Sequence, residues 1–74
     1  MLKLNGILDL HGVRHMEIDD LVTNFILMNQ DYFPVTIICG NSVIMIKLVN
    51  NVVEKLKCNS YNISYGKIII NGFK

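Results

Sequence analysis

"VTIICGNSVIMIKLVNNVVEKL", residues 35–56, changes its hydrophobic period half-way along, and that change decides the fold. Its first part, residues 35–40, is a β-branched apolar run of about five residues closed by a glycine, which reads as a buried strand. After Gly40, Asn41 or Ser42 can cap a helix. There Ile44, Met45, Leu48, Val49, Val52, Val53 and Leu56 form a broad apolar stripe, with Lys47, Asn50, Asn51, Glu54 and Lys55 opposite.

The same alternation of periods continues on both sides. Upstream, residues 4–10 form a short apolar run ending at His11-Gly12, which predicts a buried strand and a turn. Over residues 16–30, Ile18, Leu21, Val22, Phe25 and Met28 recur at helical steps, with Glu17, Asp19 and Asp20 in the first turn, where the helix dipole favours acids. Pro34 disfavours helical geometry at Phe33 and ends that segment. Downstream, "CNSYN" (residues 58–62) is a loop or the start of a third strand, and "YGKIIING" (65–72) supplies a last strand after a glycine turn.

The order β-α-β-α-β-β predicts one α/β domain over residues 1–74. Right-handed crossovers running in one direction put both helices on one face of the sheet. The expected architecture is a two-layer sandwich with a four-stranded mixed sheet. Its other face is left open, and the strands alternate accordingly: Asp9 and His11 against Leu8 and Leu10, Lys67 and Asn71 against Ile68 and Ile70. Ile38 and Ile69 fall on the open face. Met16, Met28 and Met45, at helical spacing, read as core filler.

Composition narrows the function classes. Mean hydropathy is high at +0.39, yet no apolar run approaches the roughly 20 residues of a membrane span, so no membrane contact is expected. The N-terminus lacks a long apolar h-region, which predicts a cytoplasmic protein. Cys39 and Cys58 are too few for a disulfide framework and lack zinc-site spacing, so both read as reduced packing residues. A formal net charge of +1 gives no global electrostatic attraction to nucleic acid. Such binding would have to come from a local cluster.

One edge of the sheet gathers the candidates. Asp9 and His11, two apart in a strand, present a carboxylate and an imidazole on one face near the strand's C-terminal end, where ligands of parallel α/β units bind. A parallel second strand brings Gly40, Asn41 and Ser42 to the same edge at a helix start suited to an anion. Lys47 can reach back to it, and Gly12, Arg14 and His15 lie just past the first turn. Each element also has a purely architectural reading. Asp9 and His11 can hold the Gly12 turn through backbone hydrogen bonds, residues 40–42 can be an ordinary helix cap, and the cations can be solvated.

"LDLHG" at residues 8–12, followed by an acidic helix start at Glu17, is similar to the signature of the Smr (small MutS-related) domain family. "IICGNSVIMIK" occupies the place of that family's second motif, a strand ending in H-G-x-G or T-G-x-G before a helix with a basic residue, with Gly40 and Lys47 aligning. The likeness covers nearly the whole chain. It departs at Cys39, where the family has His or Thr, and at Ser42, where it has a second glycine. Serine adopts positive φ less readily than glycine, so the loop is expected to differ in shape.

The resemblance implies a nucleic-acid-binding domain with DNA-nicking or RNA-cleaving endonuclease activity. Asp9 and His11 would be the catalytic residues, with Gly12, Arg14, His15, Gly40, Asn41, Ser42 and Lys47 contacting DNA or RNA. In this reading His11 is general acid or base, and Asp9 fixes its tautomer or orients a water. The cofactor is left open, a divalent metal such as magnesium being compatible with the chemistry. The alternative is a non-catalytic nucleic-acid-binding or protein-interaction module of the same fold, with Ile38 and Ile69 as a homodimer or partner patch.

Overall fold

The apolar run over residues 4–10, expected as one strand, belongs to a hairpin in the computed structural model, which describes residues 2–4 and 6–74. Strands β1 (Leu2–Leu4) and β2 (Ile7–Asp9) pair antiparallel, with Leu4 opposite Ile7. The turn between them contains Gly6 at a φ of +80°, a left-handed conformation that glycine adopts without steric cost. A 3-10 turn (His15–Glu17) leads into α1 (Ile18–Met28), and a second (Gln30–Tyr32) leads away from it. Then follow β3 (Val35–Ile38), α2 (Val43–Lys55), β4 (Cys58–Ser64) and β5 (Lys67–Phe73).

The five strands form one mixed sheet in the order β1-β2-β3-β5-β4. β2 and β3 are parallel, β5 is antiparallel to β3, and β4 is antiparallel to β5. β4 therefore runs parallel to β3, one strand removed, with β5 slotted between them by the hairpin. Both helical connections thus advance in the same direction along the sheet, as the β-α-β-α-β-β order requires. The expected four-strand arrangement is present, and β1 adds a short edge.

The buried residues show where the helices lie. Ile18, Val22, Phe25 and Ile26 of α1 and Met45, Val49, Val52 and Val53 of α2 form one cluster with Leu8, Val35, Ile37, Ile68 and Ile70 of the strands. These strand residues alternate along β2, β3 and β5, so they share one face and both helices cover it. Each fully buried side chain of this size contributes about 1.5–3 kcal/mol relative to exposure. At the helix surface, Lys55 Nζ meets Asp19 Oδ1 at 2.6 Å and ties α2 to α1.

Two methionines depart from the expected core. Met16 is 82 % exposed and Met28 69 % exposed, whereas Met45 is buried. Met16 lies in the 3-10 turn, whose tighter winding breaks the helical spacing assumed for it. Met28 is the last residue of α1, at the margin of a stripe centred on Val22 and Ile26. Ile44 is likewise exposed, because it precedes the first buried residue of α2. Among the described residues, no helix is long and apolar enough to cross a membrane.

Candidate functional site

Parallel pairing brings the two motif turns together. Asp9 is the last residue of β2 and is level with Ile38, the last of β3. The ladder runs one step further, with the Leu10 N–H donating to the Ile38 carbonyl at 2.9 Å. Beyond that bond the chain turns at His11-Gly12 on one side and at residues 40–42 on the other. The two turns expected at one edge therefore leave the sheet side by side.

Within it, Asp9 and His11 relate differently from two residues of one strand. His11 lies in the turn after β2, and its backbone N–H donates to Asp9 Oδ1 at 3.0 Å. The carboxylate holds the turn by an Asx-type bond to the His11 backbone rather than to the imidazole. Gly12 follows at φ +78°, and the Val13 N–H returns to the Leu10 carbonyl at 3.0 Å. The hydrogen bond occupies one of the two carboxylate oxygens. The His11 side chain itself is exposed.

The second turn resolves the question raised by Ser42. Gly40 carries the positive φ, +71°, whereas Ser42 sits at φ −86°, ψ 113°, an extended conformation open to any residue. Ser42 is the cap of α2, its Oγ accepting from the Met45 N–H at 3.1 Å. The departure from a second glycine therefore costs the backbone nothing and gives the helix a side-chain cap. Asn41 is exposed beside it, and Lys47 projects from the first turns of α2 into solvent.

Arg14 and His15 are exposed where the chain enters α1, with the Glu17 N–H closing on the Arg14 carbonyl at 3.0 Å. Next to them opens a groove of about 580 Å³ lined in part by Gly12, Val13, Met16, Glu17 and Asp20. Its two carboxylates disfavour a phosphate there. Away from that groove, His11, Gly40, Asn41 and Lys47 are each exposed, and Asp9 ends β2.

Sequence reasoning missed a third contributor, because it did not place the last strand. β5 starts at this same end, with Lys67 level with Ile38 and Gly66 just before it. Asp9, Ile38 and Lys67 form one row across three strands, and the Gly66 carbonyl accepts from the Cys39 N–H at 2.6 Å. A lysine directly after the Tyr-Gly turn was the available signal. It becomes informative only once β5 is known to pair with β3.

Cys39, just before the Gly40 turn, is buried, and desolvation pushes its thiol up to about 11. Burial raises Cys58 as well. At neutral pH both are packed thiols without nucleophilic character. Among the described residues, no three His, Cys, Asp or Glu side chains gather as a metal-binding group would. Comparison with known proteins gives no match to a family model, a curated protein or a solved structure.

Proposed function

We propose that this chain is a Smr-like domain that binds nucleic acid along the rim of its sheet and cleaves phosphodiester bonds there. The observation that supports this reading is the parallel pairing of β2 with β3, which sets the LDLHG turn beside the glycine turn that starts α2. His11, exposed at the tip, acts as general base or acid on the attacking or leaving oxygen. Asp9 Oδ1 holds the backbone of His11, and the negative carboxylate, with its second oxygen, orients the attacking water. Lys47 and Lys67 approach the rim from α2 and β5 and hold the phosphate backbone, so binding weakens with salt.

A second reading, nucleic-acid binding without cleavage, has one observation in its favour. The Asp9 carboxylate is engaged by its own turn, which is what a purely architectural aspartate does.

The test is incubation of the protein, beside Asp9→Asn and His11→Ala variants, with labelled single-stranded RNA, duplex RNA and supercoiled DNA, with and without magnesium or manganese. Cleavage by the wild type that His11→Ala abolishes is the expected result. A salt-sensitive mobility shift without cleavage leaves the binding reading. Neither cleavage nor binding of any substrate overturns both.

A further inference from the structure

The face of the sheet opposite the helices carries a pattern that meets the rim only at its end row, Asp9 and Lys67. In one row Asp9 is level with Ile38 and Ile38 with Lys67. In the next row Ile7 is level with Thr36, Thr36 with Ile69, and Ile69 with Tyr61. Residues level with one another share a face. None of these belongs to the helix-side core; even Ile69, only 8 % exposed, stands outside that cluster.

β3 is the mirror line of this pattern. On its β2 side stand Asp9 and Ile7, and on its β5 side, at the same two heights, Lys67 and Ile69. Apolar residues match apolar, and an acid matches a base. Asp9 and Lys67 stand two strand spacings apart, roughly 10 Å, on either side of Ile38, and are not paired with each other. Among the described residues the ion pair is that of Asp19 with Lys55.

We propose that this face is the interface of an isologous dimer and that its occupant is a second copy of the chain. A two-fold axis along β3, lying between two facing sheets, carries β2 of one copy over β5 of the other without changing height along the strands. Asp9 then meets Lys67 of the second copy, and Lys67 meets its Asp9. Ile7 packs on Ile69 of the second copy, and Ile38 meets its counterpart near the axis. Strands related this way stay aligned, which is the geometry of ordinary face-to-face sheet packing about 10 Å apart. A two-fold interface must be complementary to itself, and this arrangement of opposite charges about β3 meets that requirement where a single-sign patch would not. Ile7, at 42 % exposed, and Tyr61, at 51 %, supply apolar surface that a second copy would cover. The interface shares Asp9 and Lys67 with the rim, so a Lys67 paired across it is not free to hold phosphate, and the mass measurement tests the interface whatever the rim binds.

The experiment uses the full chain and measures mass by light scattering and native mass spectrometry. Wild type is expected to reach twice the 8.4 kDa chain mass as concentration rises. Lys67→Glu alone and Asp9→Lys alone set like charges against one another, and each raises the dimer dissociation constant about a hundredfold. Mixed together, the two variants restore both opposite-charge contacts and form a heterodimer that neither forms by itself. Ile38→Asp, an open-face change that leaves the helix-side core untouched, is monomeric with unchanged circular dichroism, and it carries the test if Asp9→Lys does not fold. A wild type that stays monomeric at its highest soluble concentration overturns the proposal. So does a dimer that survives Lys67→Glu or Ile38→Asp, or a mixture of two folded charge variants that stays monomeric.

Discussion

The backbone of Gly66 lies so close to the Gly40 carbonyl that a Cβ on Gly66 would overlap it. Gly66 has a φ of +80° and Gly40 of +71°, and the Cys39 N–H donates to the Gly66 carbonyl between them. The β4–β5 hairpin therefore braces the turn from which α2 starts. Gly66→Ala is expected to lose about 3 kcal/mol or more, since both the backbone conformation and the contact forbid a side chain. Gly12, at φ +78° with open space around its Cβ position, meets only the conformational penalty. Gly12→Ala should lose about 1 kcal/mol. Urea unfolding of the two variants checks this, and equal losses would show that the Gly40–Gly66 contact is not what restricts the hairpin.

Asp9 separates two roles by substitution. Asn keeps an oxygen acceptor for the His11 N–H, and Ala removes it. On the proposed reading, Asp9→Asn is expected to stay near wild-type stability and to lose cleavage, whereas Asp9→Ala loses about 1 kcal/mol in addition. If Asp9→Asn cleaves at the wild-type rate, the carboxylate charge has no part in the reaction and the residue serves only to hold the turn.

The rim was legible in the sequence because its parts are local. A strand running up to the His11-Gly12 turn and a glycine turn after Cys39 are each readable from a few neighbouring residues, and parallel pairing follows from the intervening helix. The hairpin of β1 with β2 was not, since Leu4, Ile7, Leu8 and Leu10 read as one apolar run and Gly6 gives no change of period to mark the bend. Lys67 escaped for a different reason. Its membership of the row with Asp9 rests on β5 inserting between β3 and β4, a long-range pairing that no local pattern specifies. The side-chain relation of Asp9 to His11 was also beyond reach, because β2 ends one residue before Leu10 and so releases His11 from the strand's alternation.

Ser42 offers a test of the α2 start. Its Oγ caps the Met45 N–H, and its extended backbone makes no demand for glycine. Ser42→Ala should lower stability by about 1 kcal/mol, and Ser42→Gly by only a few tenths. In a domain of this size the first is a fall in Tm of about 4–8 °C. If thermal melts put Ser42→Gly above wild type, the hydroxyl cap contributes nothing and the turn favours glycine.

Cys39 sets an alkaline limit. Burial at the end of β3 raises its thiol from an ordinary 9.0 to about 11, so the folded state favours the protonated form more than the unfolded state does. A group with its folded pKa raised contributes stability that is fully present below pH 9 and is lost as pH rises through about 11. The urea midpoint of the wild type should therefore fall across that window. Cys39→Ala lowers the starting midpoint by creating a small cavity, but its further decline with pH should be shallower, because one titrating group is gone. Parallel slopes for the two proteins would show that Cys39 ionises as easily in the folded chain as in the unfolded one. Rapid alkylation of the native thiol at neutral pH, at the rate of the urea-unfolded chain, would say the same by an independent route.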